Sequence, residues 1–420
     1  PVLLPLPESQ ARMLDHVTVA AQFLFWGVWW PFVLVSVVLF GRIWCGLLCP
    51  EGTLTEWASR HGRQGSIPRW VRWPGWPFVA FAGTTVYGQM ISVYQYPQAT
   101  LLLLGASTLA AMAVGYLYGR DKRVWCRYLC PVSGVFRLLA KLAPLHFAVD
   151  QRAWSSFRQD PARPRVAAPN CPPLLPIRAM TGAADCHMCG RCSGFNKAVS
   201  LAARSPAEEI VRHGAAENGW TVALLLYGAI GLAMGAFHWS ASPWLVALKQ
   251  AAAEWLVSHG LVWPLAMRGP WWLLTNYPAQ NDVISLLDGG LMITYMLATA
   301  AVLGTALMAC VRVATRLLGS DRNRAVHHLA QALIPLAGAG LFLGLSALTV
   351  NALRFEGVSI PWLSPLRLAL LAGAAAYSLW LSWSIAGRYA EGARRIAAVA
   401  PMAAAVGLVL WGWCLLFWIW

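Results

Sequence analysis

Two short phrases in this chain carry thiols at a spacing that could do chemistry. Residues 42–50 read Arg-Ile-Trp-Cys-Gly-Leu-Leu-Cys-Pro, and residues 123–131 read Arg-Val-Trp-Cys-Arg-Tyr-Leu-Cys-Pro, 81 residues further on. The shared pattern, R-I/V-W-C-x-x-L-C-P, ends as the bacterial ferredoxin run C-x2-C-x2-C-x3-C-P ends. One C-x3-C pair cannot surround an iron–sulfur cluster, which takes thiolates from about four directions; two pairs facing each other can. Cys45, Cys49, Cys126 and Cys130 are therefore read as one quartet. Pro50 and Pro131 suit the first turn of a following helix. Short helices are predicted over 51–60 and 132–142, their positive N-terminal ends aimed at an anionic cluster. Arg42, Arg123 and Arg127 are expected to add positive charge and lower the thiol pKa values. An all-thiolate copper or zinc site is the alternative for the same four residues.

A second constellation reads Cys186-His-Met-Cys189-Gly-Arg-Cys192. This C-x2-C-x2-C is three quarters of a ferredoxin run, but the closing Cys-Pro is replaced by Asn196 and Lys197. Cys171 precedes Pro172 and restores the missing Cys-Pro pair, so Cys171, Cys186, Cys189 and Cys192 make a second complete set. Asn196 as an oxygen ligand, a three-iron cluster, or a zinc knuckle are the competing assignments. His187 lies inside the cluster loop and is read as a solvent-facing spacer, with tuning of the cluster as the alternative. Ten cysteines thus divide into two quartets and two singles, Cys310 and Cys414, which fall in apolar stretches and are read as inert core thiols. No C-x-x-C-H occurs, and no histidine falls in the middle of an apolar stretch, so haem is not indicated.

The elements that must position these thiols are membrane helices. The chain is 58% hydrophobic and 12% charged over 420 residues, and apolar runs of about 20 residues recur, long enough to cross a bilayer. Eight spans are predicted near 17–40, 76–95, 99–118, 220–239, 285–311, 328–351, 366–387 and 397–420. The connecting segments then hold 27 Lys and Arg on one side and 5 on the other; without the long 151–219 stretch the split is 18 to 5. The positive side is expected to be cytoplasmic, and every paired cysteine lies on it. The net charge of +15 is thus mostly a topology signal, and no nucleic-acid motif accompanies it. Residues 242–258 are expected to lie as an amphipathic helix on the outer surface. Asp288, and Asp15 with His16, near outer helix ends, are candidate proton acceptors for a quinol, or else ordinary end residues. Arg178, Arg191, Lys197, Arg204 and Arg212 form either a basic rim that steers an acidic redox protein or ordinary solvated surface.

The expected class is an all-α polytopic membrane protein with a small ferredoxin-like cytoplasmic insertion. Residues 1–150 form a membrane domain with both C-x3-C-P motifs, 151–219 the iron–sulfur segment, and 220–420 C-terminal helices serving as scaffold, partner surface or quinone interface. Across about residues 17–240 the motifs resemble the NapH/NosR-type membrane iron–sulfur proteins. That resemblance implies electron transfer through 4Fe–4S clusters, often drawing on quinol, in the bacterial inner membrane. It also implies a redox partner protein or larger membrane complex, and, in larger members, a flavin-binding domain ahead of the first helix. The chain starts with Pro, which leaves a preceding piece open. The single incomplete cysteine run and the helices after about 285 depart from the family pattern. The expected function is electron transfer between the quinone pool and a partner through two 4Fe–4S clusters, with a quinol dehydrogenase-type subunit as the enzyme reading. A metal-handling or assembly protein, or a non-catalytic anchor subunit, are the alternatives.

Overall fold

A computed structural model describes residues 6–7, 11–159, 169–320 and 323–420, and residues 160–168 of the iron–sulfur segment lie outside them. Among the described residues, seven helices are long and apolar enough to cross a membrane: Val17–Phe40, Pro97–Leu117, Gly219–His238, Leu286–Leu317, Asn323–Phe355, Leu363–Ala386 and Gly392–Ile419. The eighth expected span is shorter. Trp76–Met90 has 15 residues, about 22 Å at 1.5 Å per residue, against a hydrocarbon core of about 30 Å. It still joins the two ends of the bundle. Near its start Trp73 packs on Trp220, at the beginning of Gly219–His238. At its end the Met90 carbonyl accepts from the Thr275 amide of the far-end loop, 2.8 Å. The chain therefore turns back in time for Pro97–Leu117 to return to the first end.

Gly219–His238 is the most enclosed of these helices. Its glycines allow close approach to Leu286–Leu317: a Cβ on Gly231 would stand 2.9 Å from the Ala300 Cα, and one on Gly235 3.0 Å from the Met296 Cα. Without a hydrophobic driving force inside lipid, such small-residue contacts hold helices together. A polar pin adds to them where the helix begins. The buried Lys141 Nζ donates to Glu217 and to Gln331 Oε1, each at 2.6 Å.

Both motif-bearing segments end at this same face of the bundle. Helix Pro50–His61 follows the first motif with its proline in the opening turn, as expected. The second helix starts later, at Ser133, and leaves Pro131 in the preceding turn. Strand Leu145–Val149 pairs antiparallel with Val199–Ala203, Leu145 opposite Ala203 and Val149 opposite Val199. That two-stranded ladder brackets the second cysteine segment. A small core of Phe147, Trp154, Ile177, Met188 and Val199 forms under Cys186. At the other end of the bundle, helix Pro243–Ser258 occupies the expected amphipathic stretch, with Trp244, Val246 and Trp255 exposed.

Candidate iron–sulfur centre

The two phrases reach the site by different local geometry. Cys45 lies in a widened helical turn, Trp44–Leu48, and the Cys49 amide closes it on the Trp44 carbonyl at 2.9 Å. Cys49 leaves that turn in extended conformation and caps helix Pro50–His61. Cys126 sits in the short helix Val124–Tyr128, and Cys130 follows it with its amide on the Trp125 carbonyl, 2.9 Å. Cys45, Cys126 and Cys186 are buried; the other five cysteines of the two sets are partly buried.

Each phrase grips the other through its arginine. The Arg123 guanidinium donates to the Cys45 carbonyl at 2.6 Å and the Gly46 carbonyl at 3.1 Å. Arg42 donates to Ser133 Oγ at 2.9 Å, and that hydroxyl donates to the Cys126 carbonyl at 2.7 Å. Trp125 adds an indole N–H to Glu51, 3.2 Å. The second cysteine segment is woven into the same junction. Arg42 also reaches the Ala184 carbonyl at 3.4 Å. Arg127 pairs with Asp185 at 2.7 Å, one residue before Cys186. The Arg123 amide donates to the Pro172 carbonyl at 2.8 Å, which sets Cys171 beside the second phrase. Gly46 lies so close to the loop that a Cβ there would stand 1.9 Å from the His187 carbonyl oxygen and 3.0 Å from the Cys189 nitrogen.

Glu56 is the hub, and no motif singles it out. Its carboxylate, 4% exposed, pairs with Arg123 at 2.9 Å, Arg191 at 2.6 Å and Arg60 at 3.0 Å. Helix Pro50–His61, the second phrase and the loop between Cys189 and Cys192 thus meet on one side chain. Burial works to raise the Glu56 pKa, but the hydrogen bonds and charges of Arg123 and Arg191 outweigh it, and the carboxyl titrates below its ordinary value. Its place after a cysteine motif, six residues into a helix, carries no signature of this role.

Six of the eight thiols are shifted upward, each by burial first. Cys126 and Cys130 are pushed well up, first by burial and then by the other thiols of the first quartet. Cys49 is raised to about 11 by burial and by Cys45, while the Gly52 and Glu51 amides at the helix start pull the other way. Cys186 is raised to about 12 by burial, with Cys192, Cys189 and Cys171 adding to it. Cys171 and Cys192 are raised for the same reasons. The expected lowering by arginine is therefore overturned at these positions. The arginines do favour the thiolates, but burial costs the charged form more.

His187 also departs from expectation. It is 1% exposed, not a solvent-facing spacer, and neither ring nitrogen has a hydrogen-bond partner. Burial, followed by the charges of Arg42, Arg123 and Arg127, holds its pKa well below the usual imidazole value. Arg42 is the second orphan: it is 2% exposed, its Nε has no partner, and no carboxylate pairs with it among the described residues. A buried cation with no carboxylate in contact, and only the nearby charge of Asp185 to oppose it, is costly, and an anion held by neighbouring thiolates would relieve it. The residues present fit a thiolate-bound cluster on that ground. Among the described residues no three His, Cys, Asp or Glu converge tightly enough to hold a single metal ion. A lone zinc needs sulfurs about 2.3 Å from one centre, whereas a four-iron cluster takes each thiolate on a separate iron and so tolerates a wider quartet.

The remaining candidates have structural roles. Asp288 completes a capping box with Ser285 at the start of Leu286–Leu317 and pairs with Lys249 at 2.6 Å. It lines a cavity of about 810 Å³ at the end of the bundle away from the cysteines. His16 caps the first helix by accepting from the Thr18 amide. Asn196 adopts a left-handed conformation, φ 51°, in the turn that leads to strand Val199–Ala203. Of the basic rim, Arg191 and Arg204 are committed to Glu56 and Glu209, both at 2.6 Å, and Arg212 pairs with Glu208 on the surface. Beside the second set, Arg127, Arg137, Asp185, Glu209 and Glu217 line a cavity of about 580 Å³.

Comparison with known proteins agrees with this chemistry. Residues 22–68 and 100–149 match the family described as 4Fe-4S binding domain, each stretch bracketing one copy of the repeated phrase. Residues 171–192 lie outside both stretches. The chain is also 26% identical over 240 residues to YccM of Escherichia coli (strain K12), a protein whose name assigns it provisionally to electron transport. That alignment takes in 50% of this chain and 64% of the relative, so the chain spans less than two thirds of the relative's length. No solved structure matches. The chain is similar to membrane iron–sulfur electron-transport proteins, and the likeness supports iron–sulfur electron transfer.

Proposed function

We propose that the chain carries electrons between the quinone pool and a redox partner protein through two adjacent 4Fe–4S clusters on the cytoplasmic side of a bacterial inner membrane. Cys45, Cys49, Cys126 and Cys130 would hold one, and Cys171, Cys186, Cys189 and Cys192 the other. The observation that carries this reading is the contact of Gly46 with the His187–Cys189 backbone, which brings the main chains of the two cysteine segments together. A 4Fe–4S cluster supplies a one-electron store whose potential follows hydrogen bonding and exposure. The protein's own residues do the rest. Arg123, Arg42 and Glu56 fix the spacing, and burial of Cys45 and Cys126 excludes water from the first set.

The two sets face different surroundings. Leu47 and Leu48, between Cys45 and Cys49, are 58% and 59% exposed beside the end of a spanning helix. That apolar surface suits the approach of a lipid-soluble carrier to the first set. Cys171, Cys189 and Cys192 are partly exposed beyond the bundle, which suits a protein partner. The large cavity lined by Asp288 is at the wrong end: a carrier there would face about 30 Å of hydrocarbon before the thiols.

Iron and acid-labile sulfide per chain, with EPR of the reduced protein, test the reading. About eight irons and two interacting signals, reducible by quinol in isolated membranes, are expected. Copper in place of iron would overturn it, and iron that quinol cannot reduce would leave only an anchor subunit.

A further inference from the structure

We propose that His187 donates its imidazole N–H to a sulfur at the junction of the two thiol sets and thereby sets the potential of the cluster it faces. This rests on the two-cluster reading above. His187 follows Cys186 of the second set, and its carbonyl presses on Gly46, next to Cys45 of the first. It is 1% exposed, yet both ring nitrogens are unpartnered. A buried polar group left unsatisfied costs about 1–3 kcal/mol, and such orphans in folded proteins point to a partner not yet counted.

The neighbours decide which partner. Arg42, Arg123 and Arg127 are the charges that act most on the ring. Guanidinium groups are donors only, so they can serve a ring lone pair but cannot accept from the ring N–H. Four carbonyls of the junction each already take a donor: those of Cys45 and Gly46 take Arg123, that of Ala184 takes Arg42, and that of Cys126 takes Ser133. Among the described residues no protein atom, sulfur included, is within hydrogen-bond reach of the ring, so the acceptor assigned is a sulfide of the bound cluster, and the adjoining loop shows sulfur in that role. Met188, turned into the left-handed region at φ 52°, directs its amide to Cys186 Sγ at 3.4 Å. Hydrogen bonds to cluster sulfurs are an established control of cluster potential. A donor favours the reduced, more negative state.

The test uses the purified full chain with clusters in place. His187→Phe keeps the ring volume and removes the donor; His187→Gln keeps a donor. Iron and sulfide per chain, EPR-monitored redox titration, and pulsed EPR after labelling histidine with 15N are measured together. His187→Phe is expected to keep its iron and to make reduction of one cluster about tenfold less favourable, 59 mV for a one-electron couple. Gln should recover most of that shift. The wild type should show an imidazole nitrogen and an exchangeable proton coupled to one reduced cluster, both lost in His187→Phe. Intact clusters whose potentials move less than twofold in His187→Phe overturn the proposal. So does a wild type with no histidine coupling, which needs no variant to fold. A wild type that binds no iron would instead refute the two-cluster reading itself.

Discussion

Glu56→Gln removes a charge from the junction while keeping its shape. Its carboxylate and Arg123 are 4% and 6% exposed, so the change leaves a buried guanidinium without its counter-ion. Breaking a buried pair from one side costs about 3–5 kcal/mol. At about 1.4 kcal/mol per power of ten, the junction should open roughly two to three and a half powers of ten more often. The cluster-free protein reports this directly, because Cys45 and Cys126 are buried and react only when the junction opens. Maleimide labelling of these two thiols, read peptide by peptide by mass spectrometry, is the assay. Glu208→Gln is the control. It removes a surface pair with Arg212, worth about 1 kcal/mol or less, and should change labelling by no more than about fivefold. Labelling of Glu56→Gln within threefold of wild type would refute the argument that this carboxylate fastens the three cysteine segments. Acid gives a second readout. The folded-state pKa of Glu56 lies below its ordinary value, so its contribution is present above the unfolded carboxyl value of about 4.3. It is lost as pH falls through the lower folded value. The thermal advantage of wild type over Glu56→Gln should therefore persist at neutral pH and shrink below about pH 4.

Gly46→Ala should separate the two thiol sets, because its Cβ would meet main chain at 1.9 Å and main chain cannot swing aside. Iron should fall from about eight to about four per chain, and unchanged iron would contradict the contact. Leu47→Glu with Leu48→Glu should slow reduction by quinol at least tenfold while leaving reduction by dithionite intact; equal loss of both would remove the lipid-facing approach from the reading. Asp288→Asn should cost about 0.5–2 kcal/mol through its cap without changing quinol-dependent reduction. A selective loss of that reduction would return Asp288 to the candidate proton acceptors.

What the sequence made legible was whatever depends on local pattern. Long apolar runs must be helices in lipid, so the spans were readable within a few residues, except at Trp76–Met90, where an apolar run is longer than its helix. The C-x3-C-P phrases were readable because proline and cysteine spacing constrain local backbone. Long-range polar pairing was not. His187 looks like loop filler because the charges around its ring, Arg42, Arg123 and Arg127, come from the two distant phrases. Glu56 looks like a surface helix residue because its partners, Arg123 and Arg191, come from two other segments. The pKa direction of the thiols failed for a related reason. Charge is visible in sequence, whereas desolvation depends on what packs around a group, and here desolvation won.

The raised thiol pKa values and the orphaned cation belong to one electrostatic argument. Without a cluster, burial raises the Cys126 and Cys130 thiols and favours their neutral form, while Arg42 has a hydroxyl and a carbonyl as hydrogen-bond partners and no carboxylate in contact among the described residues. Arg123 and Arg127 do have carboxylate partners, so Arg42 is the least compensated cation of the junction. Cluster binding requires the thiols to give up their protons, which places negative charge where Arg42, Arg123 and Arg127 already converge. Arg42 is thus poorly placed for the empty site and well placed for the filled one, whereas Arg123 and Arg127 already have carboxylate partners. Filling should accordingly release protons and tighten the junction together, in the same way that a metal supplies folding free energy to a small metallo-domain. The membrane bundle positions both phrases beforehand, so the chain need not fold from a random coil when the cluster arrives.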